Sequence, residues 1–123
     1  MKRKIKFGAF CELYGKTIRN RVLEYLLEMK GLDFAVGDMT EEIGISKPRA
    51  YQIIKKLEKE GYVIKSRIVA GTQLYILNET SKRVKLLLKD FKECLKLVLE
   101  EHEEKPRSYT SARAIGVASA RNI

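Results

Sequence analysis

The sequence predicts a mainly helical fold carrying one small β-hairpin, an α+β arrangement, on a chain of 123 residues. Three observations carry that prediction. Apolar residues recur at helical spacing in the stretches before residue 61 and again after residue 80. Between them, residues 62–78 switch to a period of two around a central glycine. Gly31, Gly44 and Gly61 each stand just past a helical stretch, where a left-handed C-terminal residue is favoured.

A chain of this length suits one compact domain. Hydrophobic residues make up 45% and charged residues 33%, which fits a folded chain and excludes the disordered class. The net charge of +9 favours polyanions, nucleic acid first and anionic membrane surfaces second. Cys11 and Cys94 are the two cysteines and His102 is the sole histidine. No CxxC occurs, so a four-ligand zinc site has no local source; no metal and no cofactor are expected. Two reduced thiols fit a cytoplasmic protein. No apolar run of 18 residues exists, so no transmembrane helix and no membrane partner are expected. The basic start, Met1–Lys6, is followed by no long apolar run, unlike a secretory leader.

Residues 1–12, with Lys2, Arg3, Lys4 and Lys6, read as a basic arm that either touches a phosphate backbone or is solvated. Residues 17–30 form a helix whose Ile18, Val22, Tyr25, Leu26 and Met29 share one face. Asp33–Val36 alternates and reads as a brief extended segment. Asp38 and Glu41 form a capping box that opens a short helix, with Met39 and Ile43 on its buried side. Gly44 ends it.

Ser46 caps the next helix, and Pro48 lies in its first turn, where the missing N–H is harmless. Ala50, Ile53, Ile54 and Leu57 keep helical spacing. At 100° per residue, Pro48, Gln52, Lys55 and Lys59 centre on the opposite side, flanked by Arg49, Tyr51 and Lys56. In 62–78, Val63, Lys65, Arg67 and Val69 fall on one face, and Ile64, Ser66 and Ile68 on the other. Ala70–Thr72 is the turn. From about Thr80 to Glu104 a long helix repeats Val84, Leu88, Phe91, Leu95, Val98 and His102 in an a/d rhythm, closed by Lys105-Pro106. His102, among Glu100, Glu101, Glu103 and Glu104, is either a pH-sensitive spot or a plain partly exposed histidine.

This order is that of a winged helix-turn-helix. The expected organisation is an arm over 1–12, the winged domain over 13–79, a C-terminal dimerisation helix over 80–105 and a tail over 106–123. Two helices bury the seam of the helix at 46–60 and present its other side as a rod that fits a major groove. The wing at 62–78 carries Lys65 and Arg67 toward backbone or minor groove. Seven basic residues lie between 47 and 67 against Glu58 and Glu60, a net of +5, whereas residues 80–104 hold six bases and six acids and sum to zero. Much of the excess charge therefore lies on the candidate reading surface and the N-terminal arm.

Arg49 and Gln52 are the candidates for base edges, Arg toward guanine and Gln toward adenine. Lys47, Lys55 and Lys56 are candidate phosphate contacts that position without reading. Tyr51 either hydrogen-bonds a phosphate or packs against the helix at 17–30. Pro48 completes the DNA-facing set. Val84, Leu88, Phe91, Leu95 and Val98 are the candidate dimer seam, since a helix of about 25 residues exceeds what a small winged domain covers.

Three stretches, Leu13–Glu28, Asp38–Val63 and Gly71–Asn78, resemble small archaeal winged helix-turn-helix transcriptional regulators of MarR/ArsR-like plan. The stretch from Glu42 to Gly61, reading E-x-G-I-S-x-x-x-x-Y-x-x-I-x-x-L-E-x-E-G, is fairly specific for that fold class. The resemblance implies double-stranded DNA as the partner and a homodimer paired through the helix after the hairpin. It departs in two places. Pro48 stands where Ser or Thr is common, and the wing tip, Gly71-Thr72-Gln73, has no basic residue.

Catalysis needs a nucleophile with its base, a metal cluster or paired carboxylates in a cleft. The chain offers none of these patterns, so no enzyme is expected. Two other readings stand beside the regulator: a winged-helix protein-interaction module, and a chromatin- or replication-associated DNA-binding protein of low specificity.

Overall fold

The computed structural model describes residues 5–107, with side chains described as far as His102. Lys2, Arg3 and Lys4 of the expected arm, and the tail beyond Arg107, lie outside the described residues. The elements run α1 (Ala9–Tyr14), α2 (Ile18–Glu28), β1 (Phe34–Ala35), α3 (Val36–Ile43), α4 (Lys47–Lys59), β2 (Val63–Val69), β3 (Thr72–Leu77) and α5 (Lys82–Arg107). The fold is α+β, with a long C-terminal helix, as the sequence predicts. The described residues up to Phe91 form one compact unit, and the described residues from Lys92 on belong to a second.

The first departure is α1. Residues 9–12 are not part of an arm: Phe10 and Cys11 are buried. What makes this helix is a carboxylate from another element. Glu24 of α2 accepts from the backbone N–H of Gly8 at 2.9 Å and of Cys11 at 3.2 Å. These are amides at the N-terminal end of α1, which a helix this short leaves without partners. Gly15, at φ 122°, ends it. Asn20 Nδ2 then holds the connection by donating to the carbonyl of Gly15 at 3.0 Å.

Thr17 caps α2, its hydroxyl accepting from the N–H of Asn20 at 3.1 Å. Val22 and Leu26 are fully buried. The short extended segment is real but is also a sheet strand: β1 pairs antiparallel with β3, Phe34 opposite Tyr75. Tyr25 meets Phe34 edge-on with ring centroids 5.2 Å apart, which ties that strand to α2.

The expected capping box at Asp38 does not form. α3 starts at Val36, directly after β1, with Ala35 at the N-cap and no side-chain cap. Asp38 is thereby carried into the first turn, where its charge complements the helix dipole. Gly44 ends α3 at φ 91°, as the spacing requires.

Sheet order is β1-β3-β2. The pairs Val63↔Leu77, Ile64↔Ile76 and Lys65↔Tyr75 are regular, but the next, Ile68↔Gln73, uses three residues of β2 against two of β3. This is a β-bulge at Ser66–Arg67. It corrects the face assignment read from strict alternation. Beyond the bulge Ile68, not Arg67, aligns with Val63 and Lys65, because one extra residue flips everything after it. The Val69↔Thr72 pair leaves a two-residue loop, Ala70-Gly71, with φ of 50° and 80°. Positive φ at both residues is what a type I′ turn needs.

The core gathers Val22 and Leu26 from α2, Met39 and Ile43 from α3, Ala50, Ile54 and Leu57 from α4, and Val63, Tyr75 and Leu77 from the hairpin, all buried. Burying each large aliphatic side chain contributes about 1.5–3 kcal/mol. Val84 of α5 is also fully buried. It therefore belongs to this core and is withdrawn from the seam available to a second copy. The C-terminal stop at Lys105-Pro106 is likewise passed, since α5 runs to Arg107.

One buried polar cluster sits among these contacts. Arg21 is 5% exposed and Glu24 1%. Arg21 Nη1 lies 3.3 Å from Glu24 and 3.5 Å from Glu28, ion-pair distances that miss hydrogen-bond alignment. Burial first, then the Glu24 charge, pushes the Cys11 thiol up to about 12, so Cys11 stays an inert thiol at neutral pH.

Candidate nucleic-acid interface

The surface is built from α4 outward. Ser46 occupies the N-cap, its Oγ 3.4 Å from the N–H of Arg49, with Pro48 in the first turn. Ala50, Ile54 and Leu57 fix the helix from beneath. On the other side Lys47, Pro48, Arg49, Tyr51, Gln52, Lys55 and Lys56 are all exposed, as is Lys59. Tyr51 is 42% exposed. The stem of Lys47 runs beside Gly37 of α3; a Cβ there would lie 3.6 Å from its Cε.

Arg49, Gln52 and Lys56 fall on one flank of the exposed arc. With Ile53 and Arg19 they line an open groove of about 280 Å³ between α2 and α4. Arg19 is a residue the sequence reading left out. It lies in the first turn of α2, with Nη2 2.8 Å from Glu60 and its guanidinium carbon 5.9 Å from the Tyr62 ring centroid. Its position in α2's polar arc was visible in the sequence; its meeting with α4 depends on the packing of two helices.

The wing is closed at its base by Asn78. Its N–H donates to the Tyr62 carbonyl at 3.0 Å, and its Nδ2 to the Gly61 carbonyl at 3.0 Å. Lys65 and Arg67 are exposed on β2. Arg67 is held, however, by Asp33, as are no other exposed cations of the set. Ile64, Ile68 and Val69 are exposed alongside them, and the tip carries no charge. Among the described residues no group of three or more His, Cys, Asp or Glu side chains converges as a metal site does. No helix among them is long and apolar enough to cross a membrane.

Of the expected dimer seam on α5, Leu88, Phe91 and Val98 are half-buried and Leu95 is 42% exposed. Leu97 and Leu99 are exposed too, at 42% and 63%. His102 is exposed.

A helix-turn-helix closed by a β-hairpin, with the second helix turned outward, is a winged helix. Solved structures of winged-helix transcriptional regulators share this fold. The chain is similar to the transcriptional regulator HlyU of Vibrio vulnificus, with 25% identity and a TM-score of 0.50 over 59% of this chain and 73% of that one. It is similar to the adhesin competence repressor AdcR of Streptococcus pyogenes, at 14% identity and a TM-score of 0.59 over 76% and 68% of the two chains. It also matches Lactococcus lactis ZitR, there solved in complex with DNA, at 18% identity and a TM-score of 0.59 over 89% and 73%. No family model and no curated protein sequence matches the chain.

Proposed function

We propose that this chain is a homodimeric, sequence-specific regulator of transcription that binds double-stranded DNA, of the archaeal MarR/ArsR-like plan its sequence resembles. One observation carries the reading. The side of α4 opposite Ala50, Ile54 and Leu57 is an exposed arc of Lys47, Arg49, Gln52, Lys55, Lys56 and Lys59. A stiff cationic rod of this kind is the element that enters a major groove. The likeness to ZitR, solved with DNA, supports the same reading.

In this reading residues 46–60 lie in the major groove, and the wing at 62–78 lies on backbone or minor groove. Arg49 and Gln52 read base edges; Lys47, Lys55, Lys56 and Lys65 hold phosphates. Arg19, which lines the same groove as Arg49, adds a further phosphate contact from α2. Pairing of two copies through Leu88, Phe91, Leu95 and Val98 sets two half-sites roughly 34–36 Å apart, one DNA turn. The exposed Leu95, with Leu99 flanking it on α5, supports that pairing. Sedimentation equilibrium tests it: a dimer is expected, and Leu95→Glu with Val98→Glu should give a monomer.

The DNA test is titration of duplexes selected from random sequence, against Arg49→Ala and Gln52→Ala. Each substitution should cost about 1–3 kcal/mol and relax preference at one base position. Unaltered affinity and preference would overturn the base-reading roles. Equal binding to selected and random duplex would instead favour the low-specificity chromatin or replication role. Absence of any salt-dependent retention would favour a protein-interaction module.

A further inference from the structure

Asp33 stands one residue before β1, and the order β1-β3-β2 puts a whole strand between it and β2. Its carboxylate nevertheless meets β2. Asp33 Oδ2 accepts from Ser66 Oγ at 2.8 Å and from Arg67 Nε at 2.9 Å. Ser66 and Arg67 are consecutive, and in a regular strand their side chains would point to opposite faces of the sheet. A single oxygen can meet both because they are the two residues of the bulge, set between Lys65↔Tyr75 and Ile68↔Gln73. The bulge and the aspartate thus form one device.

The contact is made on one edge of the guanidinium only. Arg67 donates through Nε, while its side chain stays 69% exposed; Asp33 is 19% exposed. Arginine offers five N–H groups in a rigid planar fork, so fixing Nε fixes where the terminal amino groups point. A phosphate engages such a fork at the edge left open.

We propose that Asp33 is a positioning residue for the wing: by holding Arg67 at Nε across β3, it aims the terminal amino groups of that arginine at the phosphate backbone of a bound duplex. This rests on the DNA-binding reading given above. It also accounts for the uncharged wing tip, since the cation the wing needs is supplied from the bulge and kept in place there. The Arg67 hydrogen bond, followed by that of Ser66, holds the Asp33 carboxyl below its usual range, so the contact is intact at neutral pH.

The test measures affinity and salt slope for a labelled mixed-sequence duplex, using the unmodified chain, Asp33→Ala, Asp33→Asn, Arg67→Ala and the Asp33→Ala/Arg67→Ala pair. Asp33→Ala should weaken binding about two- to tenfold, the effect of ordering one long side chain on association. Its salt slope should not change, because the arginine charge remains. Arg67→Ala should lower the slope by about one. Asp33→Asn keeps an acceptor oxygen and should lie closer to the unmodified chain than Asp33→Ala. In the Arg67→Ala background, Asp33→Ala should have no further effect. In the free protein, the Arg67 Nε–Hε NMR signal should exchange faster with water in Asp33→Ala.

Asp33→Ala binding as tightly as the unmodified chain, or more tightly, would overturn the proposal, for the carboxylate would then only repel phosphate. A loss that persists without Arg67, or an unchanged Nε–Hε signal, would also overturn it. If Arg67→Ala binds like the unmodified chain, the positioning role falls while DNA binding stands. If the unmodified chain itself shows no salt-dependent binding, both readings fall together.

Discussion

Gly8 is tied to a carboxylate that has nowhere to go. A Cβ at this position would lie 2.7 Å from Glu24 Oε2 and 3.1 Å from Oε1. Glu24 is buried and already serves two amides of the α1 entry, so it cannot swing into water. Gly8→Ala should therefore lower unfolding stability by about 1–3 kcal/mol, the range for disturbing a buried hydrogen-bonded polar group. Urea denaturation followed by circular dichroism measures it. Glu28 gives the pH prediction at this scale. Burial raises its carboxyl above the ordinary value, and the Arg21 guanidinium pulls it back only in part. Between the ordinary and the raised value the folded chain binds a proton that the unfolded chain does not. Stability from this group therefore falls as pH rises through that window and recovers on acidification. Glu28→Gln should raise the melting temperature at neutral pH, and the gain should shrink as pH falls below the ordinary glutamate range. Half its side chain faces water, so solvent screens the effect.

Among the elements, the hairpin shows most plainly what one residue changes. Ala70 adopts φ 50° in a two-residue loop. An L-residue other than Gly, Asn or Asp is strained there by roughly 1–2 kcal/mol. Ala70→Asn should raise stability by about 0.5–1 kcal/mol without altering the register, as read from thermal melts and amide exchange across β2 and β3. The turn itself was legible, since Gly71 interrupts an alternating run. The bulge was not. Ser66 and Arg67 fit an unbroken alternation, and only the pairing with β3 shows that β2 carries one residue more. The helices behaved in a similar way. α2, α4 and α5 each present a long apolar stripe and were readable. α1, six residues long, has too few positions to show a period, and it exists through Glu24, thirteen residues from Cys11. The Asp38 capping box matched a motif, but the pairing of Phe34 with Tyr75 pulled the start of α3 back to Val36.

For the whole molecule the governing quantity is the charge of +9 and where it lies. Six or so phosphates neutralised by α4 and the wing should make duplex affinity fall on the order of a thousandfold between about 50 and 200 mM salt. Fluorescence anisotropy at a series of salt concentrations measures the slope. A slope near zero would show that this surface meets something other than a polyanion. The nine residues that the sequence assigns to that surface, from Lys47 to Arg67, are exposed. For the seven on α4 this follows from helical geometry, since the apolar residues choose the buried side and leave the polar ones the other; Lys65 and Arg67 are exposed because β2 is an outer strand of the sheet.

Local pattern alone determined that this chain folds as α+β, that a capped amphipathic helix carries its cations on the side away from Ala50, Ile54 and Leu57, and that a hairpin follows. Those features follow from periodicity and turn chemistry, which act over a few residues. The tertiary structure decided what depends on partners distant in sequence: α1 on Glu24, the burial of Val84, the meeting of Arg19 with α4, and the grip of Asp33 on Arg67. Hydrogen bonds between residues 13 to 41 positions apart leave no period in a sequence, and so they appear only once the chain has closed on itself.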